Sequence, residues 1–267
     1  MTPAELDTRY TFARDLVREA GRLAVDMRSH ALDIETKGVR DFATAADKAV
    51  EELIVARLTQ KFGDAVLGEE FGLGEEFGGA LDTRTLWIVD PIDGTYNYAH
   101  ANPRWCVSLG YVIDGRAEIG FLYAPQTDHF YEARRGMGAF RNGDRLTVSG
   151  PEMSHAPLVE IGASSRRPLT HYLDTIRHLM EAGIETRRCG SGALGLAQVA
   201  TGEIDGYLED HINSWDVAAA LVIVAEAGGV VTDFLAGDGI RSGGPILASA
   251  PWLAKQLAQL TGLSISR

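Results

Sequence analysis

The sequence predicts an α+β fold in its first half, built on an antiparallel sheet, and an α/β arrangement around a mixed sheet in its second. Three observations carry this expectation. Asp114-Gly115 and Asn142-Gly143 each sit between apolar runs, and such dipeptides supply the positive φ of tight hairpins. Two helical stripes precede the first strands, enough to cover one face of a sheet. Beyond Pro151, apolar strand runs alternate with helical stripes, the rhythm of a parallel or mixed sheet.

Thr2, Pro3 and Glu5 form a capping box with proline at the first helical position, and Leu6, Tyr10, Leu16, Val17, Leu23 and Met27 recur at helical spacing. A second helix starts at Thr44, carries Val50, Leu53, Ile54 and Leu58, and ends at Gly63. Strands follow at Ala65–Leu67, Leu86–Val89, Trp105–Ile113, Arg116–Tyr123, Gly138–Arg141 and Leu146–Val148. In the second half, strands are expected at Leu158–Ile161, Ile184–Arg188, Gly206–Leu208, Val230–Thr232 and Pro245–Ala248. Helices are expected at Pro168–Glu181, Gly192–Thr201, Val217–Ala227 and Trp252–Leu260. The two halves divide near residue 150, as 1–150 and 151–267, with no low-complexity linker and no internal repeat.

The 267 residues, 45% hydrophobic and 23% charged, are ordinary for a globular protein. A formal charge of −12 argues against direct nucleic-acid binding, which calls for a basic face. Two cysteines are too few for a disulfide framework, and Cys106, inside an apolar run, reads as a buried thiol. The N-terminal MTPAELDTRY lacks a charged-then-apolar signal pattern, and the longest apolar run, Val217–Ala225, is far below the roughly 20 residues of a membrane span. A soluble, cytoplasmic protein with no membrane contact is expected.

Four acidic features then stand out. Gly68-Glu69-Glu70 follows one strand, and Asp90-Pro91-Ile92-Asp93-Gly94-Thr95 follows another. Thr44-Ala45-Ala46-Asp47 and Trp215-Asp216 each open a helix. Strand ends are where open sheets hold ligands. Mg²⁺ takes oxygen ligands, chiefly carboxylates, carbonyls and water. Asp90 and Asp93 flank a turn that can aim both side chains at one point, leaving the Ile92 carbonyl to join them. Gly94 and Thr95 offer amides at a helix start, which suits a phosphate oxygen. Each feature also has a plain structural reading: a capping box for Asp47, a helix N-terminal charge for Asp216, a solvated turn for Glu69-Glu70, an N-cap for Thr95.

At these residues the chain resembles the inositol monophosphatase family. WIVDPIDGTYNY (Trp87–Tyr98) and WDVAAALVIVAEAGG (Trp215–Gly229) are similar to its two signatures, with GEE at Gly68–Glu70 and T-x-x-D at Thr44–Asp47 in the same order. GMGAFRNG, GASSR and VATGEIDGY extend the resemblance over nearly the whole chain. It implies a layered αβαβα fold, Mg²⁺ dependence with two or three ions, lithium sensitivity and a homodimer. It places Glu70, Asp90 and the Ile92 carbonyl on a first metal, and Asp90, Asp93 and Asp216 on a second. A third, weaker ion would sit near Glu70. Thr95 and Asp47 would orient the attacking water, and phosphate would rest on the Gly94 and Thr95 amides. Glu209 would read a substrate hydroxyl, and Gly190, Ser191 and Gly192 would line the pocket. Two departures bear on substrate choice: the Lys37–Asp47 stretch looks about one residue short, and the pocket reads Gly-Ser-Gly where alanine is commoner at the third place.

The expected activity is Mg²⁺-dependent hydrolysis of a small phosphorylated metabolite, first an inositol or related polyol monophosphate, with histidinol phosphate as the alternative. An expectation of another class is a regulatory partner of the transcription machinery.

Overall fold

The computed structural model describes residues 1–28, 34–38, 41–73, 84–152 and 156–265. Helix α1 (Pro3–Arg28) begins at the predicted capping box: the Thr2 amide donates to Glu5 at 2.7 Å and the Glu5 amide to Thr2 Oγ1 at 3.3 Å. Strands β1 (Ile34–Gly38) and β2 (Asp41–Thr44) form a separate antiparallel ribbon. Val39 and Arg40, inside the stretch noted above as short, lie outside the described residues. Helix α2 (Ala45–Phe62) is capped by Thr44 and stopped by Gly63 at φ 66°, a left-handed turn open to glycine.

The first sheet takes β3 (Ala65–Gly68), β4 (Gly72–Leu73) and β5 (Thr85–Asp93), then, after the short helix α3 (Thr95–Ala99), β6 (Cys106–Ile113), β7 (Arg116–Ala124), β8 (His129–Arg134), β9 (Gly138–Arg141) and β10 (Asp144–Arg145). Its order is β10-β9-β8-β7-β6-β5-β3-β4. All neighbours run antiparallel except β3 and β5, which are parallel. Both predicted hairpins are present. The second arm at Asn142-Gly143 falls on Asp144–Arg145, earlier than the expected Leu146–Val148.

The second sheet takes β11 (Leu158–Ile161), β12 (Glu185–Arg187) after α4 (Leu169–Glu181), β13 (Gly206–Ile212) after α5 (Gly192–Ala200), β14 (Val230–Val231) after α6 (Ser214–Glu226), and β15 (Gly244–Ser249) after α7 (Gly239–Ser242). Helix α8 (Pro251–Thr261) closes the described fold. The order is β12-β11-β13-β15-β14, with β11 parallel to both neighbours and β15 antiparallel to both. The sheet is mixed, as predicted.

The layers follow from which faces are apolar. Successive residues of β5 alternate between two cores: Trp87 and Val89 pack with α1 and α2, while Leu86 and Ile88 pack toward α5 and α6. Both faces of the sheet are therefore covered. Helix α6 lies on β6 and β7 with Val217–Val224 all buried. Burying each Val, Leu or Ile there contributes about 1.5–3 kcal/mol. The approach depends on Gly120, where a Cβ would stand 2.1 Å from the Ala219 carbonyl oxygen. On its far side the α5–α6 layer meets β13, β14 and β15. Leu179 of α4 and Leu253 and Leu257 of α8 cover the outer face of the second sheet. The result is the αβαβα sandwich. Because β3 and β5 are parallel, Glu69 and Asp90–Asp93 leave the sheet at one edge, where Asp216 at the start of α6 joins them.

Candidate metal and phosphate site

The β5–β6 ladder is regular from Thr85↔Ile113 to Asp90↔Ser108 and then shifts before Asp93↔Cys106. Pro91 has no N–H to donate, so the ladder breaks where it sits. Asp90 Oδ1 accepts the Ile92 amide at 2.9 Å, which tightens the turn. Asp216 occupies the first turn of α6, with its Oδ2 accepting the Asn213 amide at 3.0 Å. Asp90, Asp93 and Asp216 thereby bring carboxylate oxygens within 4.8 Å of one another.

Asp90 is 1% exposed and Asp93 5%. Burial pushes the Asp90 carboxyl well above the ordinary carboxylate range, and the charges of Glu69, Asp93, Asp216 and Asp47 push it further. Asp216 is raised in the same way, by burial and then by Asp93, Glu69 and Glu209. Asp93 is raised less, because three donors hold it down: the Ser191 hydroxyl, the Ala193 amide at 2.8 Å and the Gly192 amide at 3.2 Å.

The two adjacent glutamates differ in reach. The family resemblance assigns the metal contact to Glu70, and the charge of Glu69 acts on Asp90 and Asp216. The turn after β3 constrains the pair. Glu51, fully buried in α2, accepts the amides of Glu70 and Phe71 at 2.9 Å each. Gly68 leaves no room for a side chain there, since its Cβ would stand 1.8 Å from Glu51 Oε1. The backbone of Glu70 is thus turned toward α2.

Thr95 and Asp47 do meet. Thr95 Oγ1 lies 3.3 Å from Asp47 Oδ1 and 3.1 Å from the Ile92 carbonyl, and can donate to either. Asp47 Oδ2 also takes the Thr44 amide at 2.7 Å and the Thr44 hydroxyl at 2.6 Å. The capping box and the Thr95 contact coexist in one carboxylate. Gly94, at φ 98°, opens α3 in a conformation that disfavours other residues. A Cβ there would also meet the Arg104 carbonyl at 3.0 Å and the Gly190 carbonyl at 3.3 Å.

The second half supplies the rest. Gly190, Ser191 and Gly192 lie beside Asp93, with Ser191 capping α5 and also donating to that carboxylate. Glu209 is nearly buried, accepts the Tyr207 hydroxyl at 2.8 Å, and is pushed up to about 7, chiefly by burial. Its charge and those of Asp93 and Asp216 act on each other. Sequence reasoning missed the grip of Ser191 and Ala193 on Asp93. Gly-Ser-Gly before an apolar run signals a helix cap, but no local pattern names a partner almost a hundred residues away. Cys106 is buried as predicted, with Sγ 3.9 Å from Asp93 Oδ2, and burial beside two aspartates pushes its thiol well above the usual range.

The donor set fits a hard divalent cation. It is carboxylate oxygen with one turn carbonyl nearby, and among the described residues no lysine or arginine forms an ion pair with Asp90, Asp93 or Asp216. Among the described residues no helix is long and apolar enough to cross a membrane.

The model of the inositol monophosphatase family matches residues 5–263. An inositol monophosphatase of Dictyostelium discoideum is 33% identical over 267 residues, covering 96% of this chain and 95% of that protein. The Nus factor SuhB of Escherichia coli K12 is 34% identical over 230 residues, 85% of each chain. The solved IMPase of Thermotoga maritima superposes with a TM-score of 0.82 at 31% identity, over 96% of this chain and 97% of that one.

Proposed function

The chain belongs to the inositol monophosphatase family, and from that premise we propose that it hydrolyses inositol 1-monophosphate or a closely related polyol monophosphate. It is a phosphomonoester hydrolase of that family. The observation that carries the reading is the meeting of Asp90, Asp93 and Asp216 within 4.8 Å beside the Thr95–Asp47 pair.

Mg²⁺ would be held by Glu69, Asp90, Asp93, Asp216 and the Ile92 carbonyl, as two or three ions. When bound, it supplies Lewis acidity and positive charge for in-line displacement at phosphorus. The chain's own groups do the positioning. The Thr95 hydroxyl accepts a hydrogen bond from the attacking water and passes its own proton contact to Asp47, whose charge is steadied by Thr44. The Gly94 and Thr95 amides face the phosphate oxygens. Glu209, held by Tyr207, accepts a hydroxyl of the leaving alcohol. Ser191 and the amides of Gly192 and Ala193 keep Asp93 aimed while it is ionised.

By the same family resemblance the enzyme acts in the cytoplasm as a lithium-sensitive homodimer, with its chain organised as halves 1–150 and 151–267. A panel of inositol 1-phosphate, histidinol phosphate, fructose 1,6-bisphosphate and adenosine 3′,5′-bisphosphate tests the substrate. The highest kcat/KM is expected for the inositol ester, and a clear preference for histidinol phosphate would overturn that choice.

A second reading, partnership with the transcription machinery, is favoured by similarity to a protein named Nus factor SuhB. Purification of the Asp93→Asn variant from its native host tests it. Co-purifying RNA polymerase subunits would support a role separate from catalysis.

A further inference from the structure

We propose that the cavity beside Glu209 is a second recognition subsite, which takes an anionic substituent, a phosphate or a carboxylate, carried on the leaving alcohol. The proposal rests on the phosphatase reading above and assigns a source of its substrate specificity.

The cavity has a volume of about 260 Å³ and is walled by Gly162, Arg167, Leu169, Tyr172 and Asp210, among others. That is several times the ~30 Å³ share of one water, room for a phosphate group. It adjoins the catalytic end of the site through Gly162. A Cβ on Gly162 would stand 1.9 Å from Glu209 Oε2 and 2.6 Å from the Tyr207 hydroxyl, so the backbone alone separates cavity from carboxylate at that point. Tyr172 belongs to the same neighbourhood, since Arg188 and Glu209 both act on its phenol. A substrate whose hydroxyl meets Glu209 therefore has this cavity next along its path.

The chemistry of the wall follows from which groups already have partners. Asp210 lies 2.9 Å from His171 Nδ1. Glu209 accepts from Tyr207. Arg166 donates to Asn213 Oδ1 at 2.6 Å, and Arg187 is paired with Glu160. Arg167 and Arg188 differ: among the described residues neither guanidinium forms a hydrogen bond or an ion pair. The start of α4 adds to this, because Pro168 at its N-cap gives its first-turn amides no side-chain acceptor. The carboxylates near the cavity are engaged, and these two guanidiniums are not. Carboxylate or phosphate oxygens satisfy guanidinium donors with charge-assisted bonds, which neutral hydroxyls do not match. In a chain of net charge −12, an unpaired arginine in the cavity wall, with a second acting on the wall residue Tyr172, is not explained by overall composition.

The test compares esters that differ only in the distal group: fructose 1,6-bisphosphate with fructose 1-phosphate, and 6-phosphogluconate with glucitol 6-phosphate, all with Mg²⁺. The first pair probes a distal phosphate and the second a distal carboxylate. At least one anionic member is expected to show about tenfold higher kcat/KM than its neutral partner, the size of one charge-assisted contact. Arg167→Ala and Arg188→Ala should each erase most of that preference while leaving the neutral esters within about twofold. The pair that shows the preference identifies which anion the subsite takes. Equal kcat/KM within both pairs, or a preference untouched in both variants, would overturn the subsite and leave the phosphatase reading standing. Failure to hydrolyse any of the four while inositol 1-phosphate is turned over would likewise overturn the subsite alone; failure on inositol 1-phosphate as well would remove both.

Discussion

Two buried acid sites in this molecule have opposite arrangements. Glu160 on β11 is 1% exposed, yet its Oε2 takes Arg104 at 2.7 Å and Arg187 at 3.2 Å, while Gln198 of α5 receives both arginines. Asp90, Asp93 and Asp216 converge within 4.8 Å of one another, and among the described residues no lysine or arginine pairs with them. Two like charges 4 Å apart repel by about 4 kcal/mol at an effective dielectric near 20. The chain closes one site with its own side chains and leaves the other to be completed from solution. Burial alone therefore does not mark a functional acid; several buried acids converging on one another without a side-chain cation do.

Breaking the open site should cost activity and little structure. Asp93→Asn keeps the shape that Ser191 and the α5 amides hold, and removes one charge. Turnover is expected to fall at least about 10⁴-fold, over 5 kcal/mol of barrier, with an unchanged circular dichroism spectrum. EDTA should silence the wild-type enzyme reversibly. Near-normal kcat for Asp93→Asn at saturating Mg²⁺ would remove the carboxylate from the chemistry.

The glutamate pair sharpens the same point within two adjacent residues. Glu69→Gln is expected to lower kcat/KM about a thousandfold, roughly 4 kcal/mol, and to raise the Mg²⁺ concentration needed for activity. Glu70→Gln should stay within about fivefold of wild type, a change of about 1 kcal/mol. Reversed effects would put Glu70, not Glu69, on the metal.

Breaking the closed site should do the reverse. Glu160→Ala leaves Arg104 and Arg187 without their carboxylate, with only Gln198 to accept from them, and removing one partner of a buried pair costs about 3–5 kcal/mol. The loss should appear as a lower urea midpoint, with kcat in the folded enzyme retained. A catalytic defect as large as the Asp93→Asn defect, at unchanged stability, would erase the distinction between the two sites.

This contrast explains what the sequence disclosed. Asp90–Thr95 was legible because turn, proline and both acids are contiguous, and Asp47 and Asp216 because each opens a helix with a recognisable start. Glu69 and Glu70 were not separable, because identical neighbours in a turn have no periodicity to say which one faces inward. Strand β8 was missed for a related reason. It carries Glu132 in a buried position, and what makes burial tolerable there is Tyr10 at 2.9 Å and Arg14 at 2.9 Å, both from α1. The arginines of Glu160 and the donors of Asp93 likewise arrive from distant elements. Local chemistry was readable, and pairing across layers was not.

Glu209 stands between the two sites and gives the smallest effect. It is buried with a neutral donor, Tyr207, and feels Arg188 without touching it, so its carboxyl is pushed up to about 7 from an ordinary 4.5. The folded protein then holds this proton more tightly than the unfolded chain does. Its contribution to stability is complete below pH 4.5 and is lost as pH rises through about 7. Glu209→Gln cannot lose a proton and should not show the decline. In EDTA, with no metal charge to mask the effect, wild-type stability should fall by about 2–3 kcal/mol more than that of Glu209→Gln between pH 5 and 8. Parallel urea-midpoint profiles would mean that Glu209 is ionised throughout, and that Tyr207 and Arg188 together supply what Arg104 and Arg187 supply to Glu160.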